Sequence, residues 1–285
     1  MPEVVKKQKY CYNYTIAFRY GSKYKEKQLM NNVIIYEPAS KLREIAREAL
    51  RGKWAAMFAG MLIYYLFSTV MENVLDYFFS IVRYIPLVEG YGYYFQINYA
   101  SMLYQILVYG PLSYGLAMFL MTCFREKNVN YGLTLEGFGV FWKTLVLYLL
   151  YTIKVWLWSL LFVVPGIIAT FRYAQCFYLQ VDHPDWGASQ CIRESSRLMR
   201  GNKWKLFCVQ LSFIGWMILA SIPVTIVDSL EIYNFTYVIL SIIVGLPGLL
   251  VMMYEEMTCV GFYEILAGNL VVVRTEETRY ERPLR

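Results

Sequence analysis

Residues 90–124 pass 35 positions without one Asp, Glu, Lys or Arg. So long an uncharged run is hard to bury in a small soluble core. In a bilayer it becomes a helix that satisfies its own backbone, about 20 residues crossing about 30 Å of hydrocarbon. The run is one of several. Residues 54–71 and 206–227 are also uncharged, 141–162 carries Lys154 in its interior besides Lys143 at its entry, and 165–181 carries only Arg172. A last apolar stretch lies within 235–267, opening either well before Pro247-Gly248 or at it. The spacing therefore predicts an all-α, polytopic membrane protein with six transmembrane helices, the second occupying about 102–124. The tight turn Val164-Pro165-Gly166 joins the third to the fourth. Charged residues make up 17% of the chain and hydrophobic ones 58%. Soluble proteins carry about 25% charged residues, so this composition excludes a disordered chain and argues against one soluble domain.

Six crossings put both termini on one side, and the basic residues say which. Of 27 Lys and Arg, 24 fall in the N-terminal segment, the connections after spans two and four, and the tail, while Arg83 alone falls on the other side. Cytoplasmic connections collect Lys and Arg, so both termini are expected in the cytoplasm of a multi-pass plasma-membrane protein. No cleavable signal peptide precedes the first span.

Residues 40–54 (SKLREIAREALRGKW) place Leu42, Ile45, Ala46, Ala49 and Leu50 on one helical stripe with charges opposite, an interfacial amphipathic helix over 40–52. Ser40 is its expected N-cap. Residues 185–201 repeat the design with Ala188, Cys191, Ile192, Ser195, Leu198 and Met199. Both helices end alike, as Arg51-Gly52-Lys53-Trp54 and as Arg200-Gly201-Asn202-Lys203-Trp204. Glycine suits a left-handed helix end, and Lys with Trp suits the headgroup layer. An interfacial turn at Leu135–Phe138 before Trp142-Lys143 makes a weaker third copy, so the membrane domain reads as helical-hairpin repeats. Before it, residues 1–39 form a basic, Tyr-rich extension, either a small hairpin around Tyr10–Tyr20 or an unstructured arm, with Met30 as an alternative start. Residues 268–285 form a cytoplasmic tail.

Most chemistry is excluded by what is missing. There is one histidine, His183, and six cysteines with no metal-type spacing. Four of them (Cys123, Cys176, Cys208 and Cys259) lie in apolar runs as small hydrophobes, and no disulfide framework is expected. No phosphate loop, dinucleotide fingerprint, nucleophile elbow or zinc-protease helix occurs, so no catalytic constellation, no metal site and no cofactor is expected. Asp185 is read as the start of the following helix rather than as a ligand beside Asp182 and His183. The Tyr-rich connection 72–101 reads as interfacial anchoring.

The stretches LREIAREALRGKW (42–54), VVPGII (163–168), DHPDWGASQCIRESSRLMRGNKWKLF (182–207), LSFIGW (211–216) and GFYEIL (261–266) resemble the bacterial integral membrane family called domain of unknown function 975. The resemblance covers about residues 40–267. It implies a six-span plasma-membrane protein without an assigned activity, and it marks Arg51, Gly52, Trp54, Pro165, Gly166, Asp182, Pro184, Gly201, Asn202 and Trp204 as structural motif positions. The family usually lacks an extension like residues 1–39, and Arg172 stands where it more often has a small or polar residue.

Charges at bilayer depth cost at least about 2.5–3.5 kcal/mol each and so face protein or water. Lys154, Arg172, Glu255 and Glu256 are therefore the candidate functional residues, expected to line a polar pocket between spans three, four and six. The competing reading is plain ion pairing or snorkelling. The leading functional expectation is binding or movement of a small amphipathic solute or lipid. The alternative is a scaffold or self-protection factor acting through partners. Expected partners are membrane lipids, anionic headgroups included, with a second copy or another membrane protein as further candidates. No nucleic-acid motif is present.

Overall fold

The computed structural model describes residues 12–18, 33–79, 81–88, 91–126, 129–230 and 235–276. The rest of the N-terminal extension and residues 277–285 lie outside the described residues. The body is helical, and strands are confined to two antiparallel ribbons.

Helix α1 (Ala39–Leu50) packs Leu42, Ile45, Ala46 and Leu50 into the core. Its N-cap is Pro38, in extended conformation and without a side-chain cap bond, so Ser40 falls within the first turn and not at the cap expected for it. Gly52 then takes φ +75°, and Gly201 takes φ +87° at the matching place. Both are left-handed backbone that a Cβ would strain. Helix α2 (Trp54–Tyr65) continues through a π-helical turn (Leu66–Val70) into α3 (Met71–Phe79). The first span thus runs past residue 71. Strands β2 (Ile81–Val88) and β3 (Tyr91–Ile97) form a hairpin inside the Tyr-rich connection.

Helix α4 (Tyr99–Glu126) spans 28 residues, longer than the 102–124 expected. A 3-10 helix (Tyr131–Val140) lies where the interfacial turn was expected and leads into α5 (Phe141–Leu161). The stretch expected as the fourth span is two helices, α6 (Val163–Tyr173) and α7 (Cys176–Asp182), neither of which is long enough alone to cross a membrane. The hairpin between α5 and α6 turns at the extended residue Phe162, so Pro165 sits in the first turn of α6, where its missing N–H costs nothing. Gly166 lets α6 touch α5: a Cβ there would lie 2.2 Å from Ser159 Oγ.

Helix α8 (Ala188–Leu198) begins after Gly187, so Asp185 does not start it; His183 stacks on Trp186 at 3.8 Å. Helices α9 (Lys203–Leu211) and α10 (Ile214–Asp228) are bent by 46°. Helix α11 (Phe235–Leu266) runs unbroken through Pro247 and Gly248. Strand β4 (Leu270–Glu276) pairs antiparallel with β1 (Tyr12–Phe18). The described part of the extension, Tyr12–Phe18, thus pairs with the C-terminal segment; the hairpin turn expected after Tyr20 lies outside the described residues.

Among the described residues, Trp54–Phe79, Tyr99–Glu126, Tyr131–Leu161 and Ile239–Leu266 are long and apolar enough to cross a membrane, and the bent pair α9–α10 makes a fifth candidate. The core lies between α1, α2, α4, α7, α8 and α11, with Met57, Met61, Phe119, Leu120, Phe213 and Phe262 almost wholly buried. By contrast Trp156, Leu157, Leu160, Phe162 and Val163 at the α5–α6 turn are exposed.

Candidate functional site

Three helices end together. Arg125 is next to last in α4, Asp182 ends α7, and Glu264 lies two residues from the end of α11. Arg125 holds Asp182 in a fork, with Nη1 to Oδ1 at 2.6 Å and Nη2 to Oδ2 at 2.9 Å, and it reaches Glu264 Oε1 at 2.7 Å. Tyr263 Oη donates to Asp182 Oδ2 at 2.8 Å, and Asn269 Nδ2 donates to Glu264 Oε2 at 2.8 Å. Carboxylates at helix C-termini oppose the helix dipole, and the guanidinium offsets both at once. Sequence reasoning counted Arg125 only as a topology charge and Asp182 only as a motif residue. The available signal was a lone cation closing an otherwise uncharged 35-residue run.

The second corner is built by Asn202, which is fully buried. Its Oδ1 accepts from Ile35 N at 2.9 Å, and its Nδ2 donates to Val33 O at 2.7 Å and Leu198 O at 3.0 Å. This motif position ties the entry into α1 to the corner between α8 and α9.

A groove of about 380 Å³ opens between α1, α2, the α9–α10 bend and α11. Its walls are Trp54, Phe213, Trp216, Leu250, Val251 and Tyr254, and its polar edge is Ser40, Arg43 and Arg47. The bend leaves the carbonyl of Ser212 without a helical partner, and Arg43 Nη1 donates to it at 3.3 Å while its guanidinium stands 5.9 Å from the Phe213 ring. Tyr254 Oη donates to Arg43 O at 3.0 Å, and its ring meets Trp54 and Phe213 at 6.0 and 5.2 Å. Arg47 is exposed. A shallower cleft of about 590 Å³ shares Arg47 and Trp54 and adds Glu44, Glu48, Arg51 and Gly52.

The four intramembrane charges do not converge as a set. All four are half-buried, and among the described residues no ion pair joins any two of them. Arg172 Nε donates to Ser196 Oγ at 2.5 Å and faces the Tyr173 ring at 5.7 Å. Glu256 Oε2 accepts from Tyr178 Oη at 3.2 Å. Lys154 and Glu255 join neither contact. Among the motif residues, Trp204 is exposed at the start of α9, and the carbonyl of Pro184 accepts from Lys143 Nζ at 3.0 Å. No group of three or more His, Cys, Asp or Glu among the described residues is placed to hold a metal.

With helices of membrane-crossing length and polarity, the architecture fits a membrane protein. The family model described as protein of unknown function (DUF975) matches residues 36–170 and 160–269, and the chain belongs to this family. No curated protein and no solved structure matches the chain.

Proposed function

We propose that this is a six-span plasma-membrane protein, both termini cytoplasmic, that binds an anionic amphiphile, a membrane lipid, in the groove beside α1. The groove carries the reading: two guanidinium groups edge a pocket whose walls are aromatic and aliphatic. A headgroup phosphate meets Arg43 and Arg47 through charge-assisted bonds, and the acyl chains continue along Trp216 and Leu250. Trp54 marks the depth as the headgroup layer. Nothing in the groove pairs a nucleophile with a base, so binding, not catalysis, is its chemistry.

The topology has its own support. β1 pairs with β4, which brings the two terminal segments together and supports an even number of crossings. Five candidate spans become six when broken α6–α7 crosses as well. The helical-hairpin repeat draws support from Gly52 and Gly201, each left-handed between an amphipathic helix and a Trp-bearing helix start.

Native mass spectrometry of the protein released from nanodiscs containing phosphatidylglycerol and phosphatidylethanolamine tests the binding. The expected result is retained phosphatidylglycerol in the wild type and its loss in R43Q/R47Q. Equal retention of both lipids, or retention unchanged in R43Q/R47Q, rejects the reading.

A further inference from the structure

Glu256 lies ten residues before the end of α11, about 15 Å along the helix, which is the middle of a hydrocarbon core about 30 Å thick. An ionisable group at that depth is costly to keep without a task. Among the described residues no Lys or Arg forms an ion pair with it; its hydrogen-bond partner is the phenol of Tyr178. Tyr64 of α2, Tyr178 of α7, and Glu255 and Cys259 of its own helix are the titratable groups within its electrostatic reach. Arg43 and Arg47 of α1 act instead on Tyr254.

These groups continue in both directions. Toward the inner end, the Tyr178 ring lies 5.3 Å from that of Tyr263, whose hydroxyl donates to Asp182 in the Arg125 junction. Toward the other end, the rings of Tyr109 and Tyr148 are 6.4 Å apart. Tyr109 Oη donates to Glu72 Oε2 at 3.0 Å, and Gln105 Nε2 donates to Glu72 Oε1. Glu72 stands eighteen residues beyond Trp54, about 27 Å along the first span. Glu256 thus has a chain of phenol and carboxyl groups, Tyr178, Tyr263 and Asp182, on its inner side, and a second cluster, Tyr148, Tyr109 and Glu72, stands toward the other end.

We propose that Glu256 is an intramembrane proton-binding site, reached from the cytoplasmic end along Asp182, Tyr263 and Tyr178. The step is a single transfer: a hydronium ion gives its proton to the Glu256 carboxylate, leaving water and a neutral acid, and no other bond changes. Protonation removes the Glu256 charge and its repulsion of Glu255 on the same helix. A phenol can then accept from the new O–H where it had donated to the carboxylate, because a hydroxyl serves in both roles. The proposal rests on the membrane-spanning reading and is independent of the lipid groove.

The test is pH-difference infrared spectroscopy of the protein in lipid nanodiscs. The expected result is a carboxylic-acid C=O stretch that grows as pH falls, is absent from E256Q and is displaced in frequency in Y178F, which keeps the carboxyl and loses only its donor. Wild-type and E256Q difference spectra that coincide in the carboxylic-acid C=O region overturn the proposal. So does a stretch unmoved by Y178F, which places the titrating acid elsewhere even if E256Q fails to fold.

Discussion

Arg125 illustrates how one side chain fixes several helices. Its guanidinium is mostly buried between Asp182 and Glu264, with 19% of the side chain exposed. Removing one member of such a cluster leaves the others charged and unpaired, which costs about 3–5 kcal/mol. R125M is therefore expected to lower the unfolding midpoint in detergent sharply. R125M/D182L/E264L, in which no charge is stranded, is expected to recover most of the loss. Asn202 is the neutral counterpart: N202L strands the Ile35 amide and costs about 1–3 kcal/mol, read by the same unfolding measurement. Little of this was legible in the sequence. Asp182 and Asn202 stand out as motif residues, but their partners lie 57 and 167 positions away, and no local pattern carries such pairing. Lys154, Arg172, Glu255 and Glu256 were legible as costly charges. Their partners were not: Arg172 and Glu256 bond to the neutral hydroxyls of Ser196 and Tyr178, which no local sequence pattern pairs with them.

The amphipathic helices do more than float at the interface. Each repairs a break in a span. Arg43 of α1 donates to the Ser212 carbonyl at the α9–α10 bend. Ser195 of α8 donates to Arg172 O and accepts from Gln175 N, both at 3.1 Å, bridging the gap between α6 and α7. The stripes that predicted these helices are the faces the structure buries, because apolar residues at helical spacing have one place to go. The breaks were not legible, since Ala174-Gln175 and Ser212-Phe213 contain neither Pro nor Gly. G201A is expected to cost about 1–2 kcal/mol, the penalty of left-handed backbone for a residue with a Cβ. On α8, burial pushes the Cys191 thiol up to about 11. The thiolate that reacts is then scarce at neutral pH, so maleimide labelling of a variant keeping only Cys191 is expected to be slow, to speed up as pH approaches that value, and to be fast after denaturation. Rapid labelling of the folded protein at neutral pH would show that α8 does not dock as described.

At the scale of the whole molecule, the apolar runs set the helical architecture, and the distribution of Lys and Arg is the ground for the orientation proposed. Four of the six expected spans coincide with helices long and apolar enough to cross a membrane, and the expected fifth with the bent pair α9–α10. The expected fourth is the broken pair α6–α7, for hydropathy counts apolar residues and cannot see where a helix unwinds. The β1–β4 ribbon lies beyond any local reading because its strands are joined only through the entire membrane body. The groove and the proton site both depend on one proposed arrangement, in which α1, the Arg125 junction and the two terminal segments share the cytoplasmic face. The most direct measurement fuses alkaline phosphatase or green fluorescent protein after Arg285 and, separately, before Met1 in a bacterial host. The account predicts fluorescence and no phosphatase activity at both ends. Phosphatase activity at either end would contradict it.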